Sequence, residues 1–302
     1  MDPSVPLENK PRRPWLALVL SLICTGWGHI YCGQIVRALV FMVIGVVVPS
    51  GAILAGALNR PFIALLAGAL LPPIIGIAAG VDSCLLARRL RRQYRPKEYN
   101  RWYVYVLVLL LTSLVPVASA MIVRINILEA FRMSGKSMSP DVPNGCRVLA
   151  NKVAYRAEPL KRGDIIVFVY PNNRSVKYIK RVAALPGEKV SMKDGDLYVS
   201  GKKLPRSEAA TAPTVAGDGT FAMFWEHNGQ AKYRILLSRG EAAPGRTARD
   251  IPELTVPNGH CFVLGDNRDM SCDSRHFGPV PLADIIGRVD YIYYPQWRDL
   301  RE

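Results

Sequence analysis

The chain has 302 residues, half of them apolar, and a formal net charge of +15. That length admits two domains. Its six cysteines (Cys24, Cys32, Cys84, Cys146, Cys261 and Cys272) form no CxxC pair and no Cys/His cluster with zinc spacing, so a disulfide scaffold, a metal and a cofactor are not expected.

A basic excess of this kind fits nucleic acid, anionic lipid or membrane-topology signals. The densest run is Arg88, Arg89, Arg91, Arg92, Arg95, Lys97 and Arg101, wedged between two apolar runs. That position favours a positive-inside signal, with a lipid bilayer and no nucleic acid as partner.

Residues 1–14 are polar and carry Lys10, Arg12 and Arg13. More apolar segments follow, so this is an anchor region and not a cleaved signal peptide. The apolar run 15–24 is shorter than the roughly 20 residues a span needs, which predicts an interfacial or re-entrant segment. His29 sits in the glycine- and aromatic-rich stretch that follows and reads as an interfacial histidine. Segments 38–58 and 62–81 are predicted spans, the second with a kink at Pro72-Pro73. Segment 102–123 is the last span, with Trp102, Tyr103 and Tyr105 at its interfacial end. The basic loop 88–101 is expected on the cytoplasmic side, and everything after Arg124 on the other. A basic, cytoplasmic N-terminus then requires two full spans before the loop. Three spans with the N-terminus outside is the competing arrangement.

Residues 124–302 alternate short β-branched runs with Gly/Pro/Asn/Asp turns, the pattern of an antiparallel β domain. Predicted strands include 147–150, 164–169, 176–184, 189–192, 232–237, 261–264 and 286–294. The stretch 200–258 is richer in Ala, Gly, Thr and Pro, is less periodic, and reads as a variable insertion or subdomain with long loops. The chain is therefore expected to divide into a membrane region (1–101, with the cytoplasmic loop 88–101), an anchor helix (102–123) and an exported β domain (124–302). Its fold class is an α-helical membrane region of two to four transmembrane or re-entrant segments, followed by a mainly antiparallel β domain.

Three stretches of the β half could carry chemistry. Ser137 lies in Ser134-Gly135-Lys136-Ser137-Met138-Ser139-Pro140, where proline disfavours helix for the residue before it. In the strand 176–182, period two puts Val176, Tyr178, Lys180 and Val182 on one face. Lys180 is the lone charge there, and periodicity alone favours a side chain that snorkels to water over a buried one. The polar loop 265–278 holds Ser271, Asp273, Arg275 and His276. A serine nucleophile needs a base. His276 with Asp273 would give a Ser-His-Asp triad, although Ser139 stands where a G-x-S-x-G elbow needs glycine. Lys180 would give a Ser-Lys pair, provided burial lowers its pKa from about 10.4 toward neutrality.

Four ordered stretches carry a further signal: Ser137-Met138-Ser139-Pro140, then Arg162 to Phe168, then Tyr178-Ile179-Lys180-Arg181 with Leu185-Pro186-Gly187, then Gly265 to Arg275. Lying after an apolar span, they resemble the boxes of the type I bacterial signal peptidases, over roughly residues 102–195 and 258–296. The resemblance implies a plasma (inner) membrane, multi-pass serine endopeptidase with its catalytic domain on the extracytoplasmic face. It would remove signal peptides from secretory preproteins after small residues of the Ala-X-Ala type, with no cofactor. Box by box, Ser137 would be the nucleophile and Lys180 the base. Ser271 would orient the lysine amine, and Asp273 and Arg275 would form a supporting ion pair with Arg181 nearby. The Ser137 backbone N–H would donate to the oxyanion. Many members carry a serine hydroxyl two residues before the nucleophile; here Gly135 stands there and Ser134 one step further back, so the second donor would come from either. Met270 replaces the usual asparagine and Cys272 fills a small-residue position. Phe131, Met133, Tyr178 and Ile179 are candidate substrate-binding residues, with an extended substrate pairing by strand addition. Two rivals remain: a self-cleaving Ser-Lys repressor, which the apolar segments disfavour, and a catalytically dead membrane scaffold.

Overall fold

The computed structural model describes residues 11–59, 61–90, 98–209, 221–238 and 249–301. Arg91, Arg92, Arg95 and Lys97 of the predicted cytoplasmic loop fall outside these. The chain forms two compact units, residues 1–127 and 128–302.

The first unit is helical. Its helices are α1 (Pro14–Ile23), α2 (Trp27–Tyr31), α3 (Ile35–Asn59), α4 (Pro61–Arg89) and α5 (Trp102–Asn126). Proline opens α1, where its missing N–H is unneeded. At 10 residues, α1 is too short to span a bilayer. Within α3, α4 and α5, the stretches Ile35–Ala55, Leu66–Arg89 and Trp102–Asn126 are long and apolar enough to cross a membrane. Pro72 and Pro73 lie inside α4, which continues through both.

The helices pack through small and polar residues. A Cβ on Gly28 would lie 2.2 Å from the Ala17 carbonyl oxygen and 2.4 Å from Ser21 Oγ, so only glycine permits this approach. Ser21 and Ser83 hydroxyls meet at 3.1 Å. His29 departs from expectation. It is fully buried, with Nε2 2.8 Å from Asp82 on α4 and its ring stacked on Phe41. A charged partner on another helix draws the ring inward, and no local pattern around His29 reveals that partner.

The second unit is built from antiparallel strands. They are β1 (Leu128–Arg132), β2 (Arg147–Asn151), β3 (Ile165–Val169), β4 (Lys177–Ala184), β5 (Lys189–Lys193), β6 (Asp196–Val199), β7 (Lys202–Lys203), β8 (Arg206–Glu208), β9 (Phe221–Asn228), β10 (Ala231–Ser238), β11 (Ile251–Thr255), β12 (His260–Leu264), β13 (Val280–Pro281), β14 (Ile285–Tyr294) and β15 (Arg298–Asp299). Two single-turn helices, α6 (Ala154–Ala157) and α7 (Ser274–Phe277), interrupt them. The main sheet runs β1-β2-β14-β3-β4-β12-β13, with β15 on β14. Two smaller sheets run β10-β9-β8 and β11-β5-β6-β7. The stretch read as an insertion or subdomain holds β7 to β11. Its strands pair with each other and with β5 and β6, which makes it a subdomain.

β3 is buried on both faces. Ile165 and Val167 join a core with Val148, Ile179 and Val289, and Ile166 and Phe168 join another with Val182, Cys261 and Val263. This accounts for its unbroken apolar run. Its neighbour β4 pairs with β12 only from Arg181 onward. The Lys177–Lys180 half pairs with β3 on one side and lines a cleft on the other. β1 is the outermost strand of the sheet, paired with β2.

Candidate active site

Ser137 sits in a tight turn just beyond β1. Met138 and Val142, both fully buried in the core, anchor that turn. Asn267 holds it from the opposite loop: its backbone N–H donates to the Ser137 carbonyl at 3.0 Å, and its side-chain amide donates to the Lys136 carbonyl at 3.3 Å.

Lys180 reaches Ser137 from β4. Its Nζ lies 2.8 Å from Ser137 Oγ and donates to the Ile179 carbonyl at 3.1 Å. The side chain is only 4% exposed. Snorkelling, the expectation from periodicity, does not occur. Tyr178 and Val182 flank it on the same face and pack with Ile166 and Phe168 of β3. Burial pushes the Lys180 ammonium down to about 8, against the opposing pull of Asp273.

The loop 265–278 closes the back of the site. Asp273 and Arg275 pair at 2.8 Å, and the Gly265 N–H donates to Asp273 at 3.0 Å. Burial works to raise the Asp273 carboxyl, but the Arg275 guanidinium overrides it and holds the group below its usual range. Ser271, 2% exposed, stands beside Asp273 and helps to lower its carboxyl. Gly265 separates Ser271 from the nucleophile's backbone: a Cβ there would lie 2.2 Å from Ser271 Oγ and 2.6 Å from the Ser137 carbonyl oxygen.

Arg181 points to the opposite side of β4 from Lys180. It pairs with Asp266 at 2.7 Å and Asp141 at 3.0 Å, and donates to the Gly163 carbonyl. Its partner Asp266 adjoins Gly265, whose N–H donates to Asp273. Gly135 has φ +130°, and its N–H donates to Asn144 at 2.9 Å. His276 contributes to local structure: with Asp273 it forms a capping box at the start of α7.

A cleft of about 300 Å³ runs past the Ser137–Lys180 pair. One wall is Phe131 to Lys136; the other is Val176 to Ile179, with Met270 and Cys272 at the rim. Met133 and Ile179 line this cleft and also belong to the core beneath it. Tyr178 stacks on Tyr170 with ring centroids 4.4 Å apart. No group of three or more His, Cys, Asp or Glu side chains could hold a metal ion among the described residues.

Sequence reasoning singled out neither Asn267 nor the acceptors Asp141 and Asn144. Asn267 stands in the polar loop, but only pairing across 130 residues of chain gives it a partner.

The antiparallel β unit that carries this site is that of a peptidase. The chain belongs to the family described as signal peptidase, peptidase S26, which matches residues 105–294, and it is accordingly a peptidase that cleaves signal peptides. It is 34% identical to the signal peptidase I of Bacillus caldolyticus over 202 residues, 67% of this chain and 93% of that protein. It is 32% identical to the signal peptidase I of Pseudomonas aeruginosa over 239 residues, 71% and 78% of the two chains. A crystal structure of a signal peptidase I from Enterococcus faecalis shares 32% identity over 44% of this chain and 97% of that one, with a TM-score of 0.27.

Proposed function

We propose that this signal peptidase works by a Ser137–Lys180 dyad, cleaving exported preproteins after small residues of the Ala-X-Ala type. The observation that carries the reading is the 2.8 Å contact between Ser137 Oγ and the buried Lys180 Nζ. In its neutral form the amine accepts the Ser137 proton as Oγ attacks the scissile carbonyl. The oxyanion takes the Ser137 N–H, which has no acceptor among the described residues. A second donor from the Ser134–Gly135 backbone would require Gly135 to exchange its bond to Asn144. The lysine ammonium then protonates the leaving amine, and on return to the neutral form it activates water to hydrolyse the acyl-enzyme. Ser271 and the Asp273–Arg275 pair support the amine, with Arg181 bracing β4 from its other face.

The cleft suits an extended chain. The half of β4 not covered by β12 and the β1 edge offer backbone groups for strand addition, and Phe131, Met133, Tyr178 and Ile179 supply shallow apolar walls. For localisation, a cytoplasmic 88–101 loop followed by α5 would set the β unit on the extracytoplasmic face of the plasma membrane.

The test is turnover of a preprotein and of an Ala-X-Ala peptide by detergent-solubilised protein. Ser137→Ala and Lys180→Met should each abolish turnover on both. Near-normal rates in either variant would refute the dyad.

A further inference from the structure

The β9–β10 hairpin, joined at Gly229-Gln230, lies outside the stretches that carry the family resemblance. It nevertheless grips both sides of the site. Glu226 on β9 is fully buried and accepts from both terminal nitrogens of Arg268, one of them at 3.2 Å. It also accepts from Arg206 at 3.0 Å and from Tyr233 at 3.0 Å. Arg268 is 2% exposed. Its carbonyl accepts from Arg275 at 2.6 Å, the guanidinium that pairs with Asp273. The residue before it is Asn267, which fastens Ser137.

β10 adds three more attachments. The Leu236 N–H donates to the Asp266 carbonyl at 2.8 Å. The Ser238 N–H donates to the Asp269 carboxylate at 2.7 Å. Arg234 donates to Asp141, four residues after the nucleophile, at 2.9 Å. One hairpin is thus tied to the turn that carries Ser137 and to the loop that carries Ser271 and Asp273.

A buried ion pair such as Glu226–Arg268 adds little net stability over apolar side chains of equal volume, because both charges must be stripped of water. What it does supply is geometry. Reaction at Ser137 depends on sub-ångström placement of hydroxyl and amine, and the groups that set this placement come from two separate loops.

We propose that Glu226, acting through Arg268, is a positioning residue of this active site, and that the β9–β10 hairpin is the clamp that holds the nucleophile turn and the 265–275 loop in register. The proposal rests on the Ser137–Lys180 reading.

The test uses the full-length protein in detergent. Glu226→Gln is compared with the charge-free pair Glu226→Gln/Arg268→Met, which keeps the experiment decisive if the single variant fails to fold. Lys232→Ala, on the same hairpin over Trp225, is the control expected to behave as wild type. For each, kcat and KM on one preprotein are measured per folded molecule, with the folded fraction taken from circular dichroism, and kcat/KM is followed against pH. The expected result is a kcat lowered about 10- to 100-fold, the scale of a misplaced reacting group. KM should stay within about 3-fold, and the acid limb of the profile should move as Asp273 shifts relative to Lys180. A double variant with wild-type kcat per folded molecule and an unmoved limb would overturn the clamp. Ser137→Ala and Lys180→Met run alongside: if both are inactive while the double variant is normal, the clamp alone fails, and if either retains turnover the Ser-Lys reading fails with it.

Discussion

Lys180 Nζ and Ser137 Oγ lie 2.8 Å apart although 43 residues separate them in the chain. The contact joins an apolar strand face to a turn anchored by Met138, and it leaves the amine almost without water. Burial drives its pKa down to about 8, where an amine is a competent base near neutral pH. For kcat/KM of the free enzyme, activity should rise with pH and level off above about 8. A pH profile flat from 6 to 9 would refute an essential neutral lysine. Lys180→Arg should be as inactive as Lys180→Met, since guanidinium does not deprotonate in proteins.

The same shift has a cost in stability. Lys180 is protonated in the unfolded chain up to about 10.5 and in the folded chain only up to about 8. Between those values the unfolded state holds more protons, so stability rises with pH through that window. Below about 8 the full penalty applies, about 3 kcal/mol from the size of the shift. Lys180→Met removes it and should raise the thermal midpoint at pH 7 while abolishing turnover. The difference in midpoint between variant and wild type should shrink as pH approaches 10. Thermal melts at several pH values measure this, and a destabilised methionine variant would contradict the burial.

His276 offers an alternative base only on paper. Its Nδ1 accepts from the Asp273 N–H at 3.5 Å in the α7 capping box. His276→Ala should cost about 1 kcal/mol of stability, the usual value of a cap, and leave kcat/KM within about 3-fold of wild type, well short of losing a general base. Kinetics on one preprotein decide it, and an inactive His276→Ala with an active Lys180→Met would replace the dyad by a triad.

Cys272 lines the cleft and is exposed, whereas Cys146 and Cys261 are buried. Burial also pushes the Cys261 thiol up to about 12, which keeps it unreactive. A bulky maleimide should therefore label Cys272 first in the β unit and block peptide turnover. Cys272→Ser should retain activity and resist the reagent. Inhibition that persists in Cys272→Ser would show that the cleft is not the route to Ser137.

Topology is open to direct measurement. The cluster that includes Arg88, Arg89 and Arg101 should remain in the cytoplasm under the positive-inside bias. A reporter active only outside the cytoplasm should work when fused after residue 302 and fail when fused at residue 95. The reverse pattern would invert the assignment.

The sequence by itself determined what depends on local pattern. Apolar runs located the stretches that become α3, α4 and α5, because span length is a property of consecutive residues. Short β-branched runs bounded by turn residues located β3, β4, β12 and β14, because a strand and the turns that end it are both written in consecutive residues. The order of four short boxes pointed to the family. The tertiary structure decided everything that depends on what covers a face. Alternation gave Lys180 an apolar face but could not say whether water reached it; Tyr178, Val182 and the Ser137 turn close it off. Alternation also put Arg181 opposite Lys180, yet its carboxylate partners, Asp266 and Asp141, lie 85 and 40 residues away. His29 is buried because Asp82 meets it from another helix. The stretch 200–258 gave a weak period because it is rich in Ala, Gly, Thr and Pro, and the Arg268 partner of its buried Glu226 comes from a segment 42 residues away. A buried charge is stable only beside its counter-charge, and the fold brings those counter-charges together across stretches of chain that no local pattern spans.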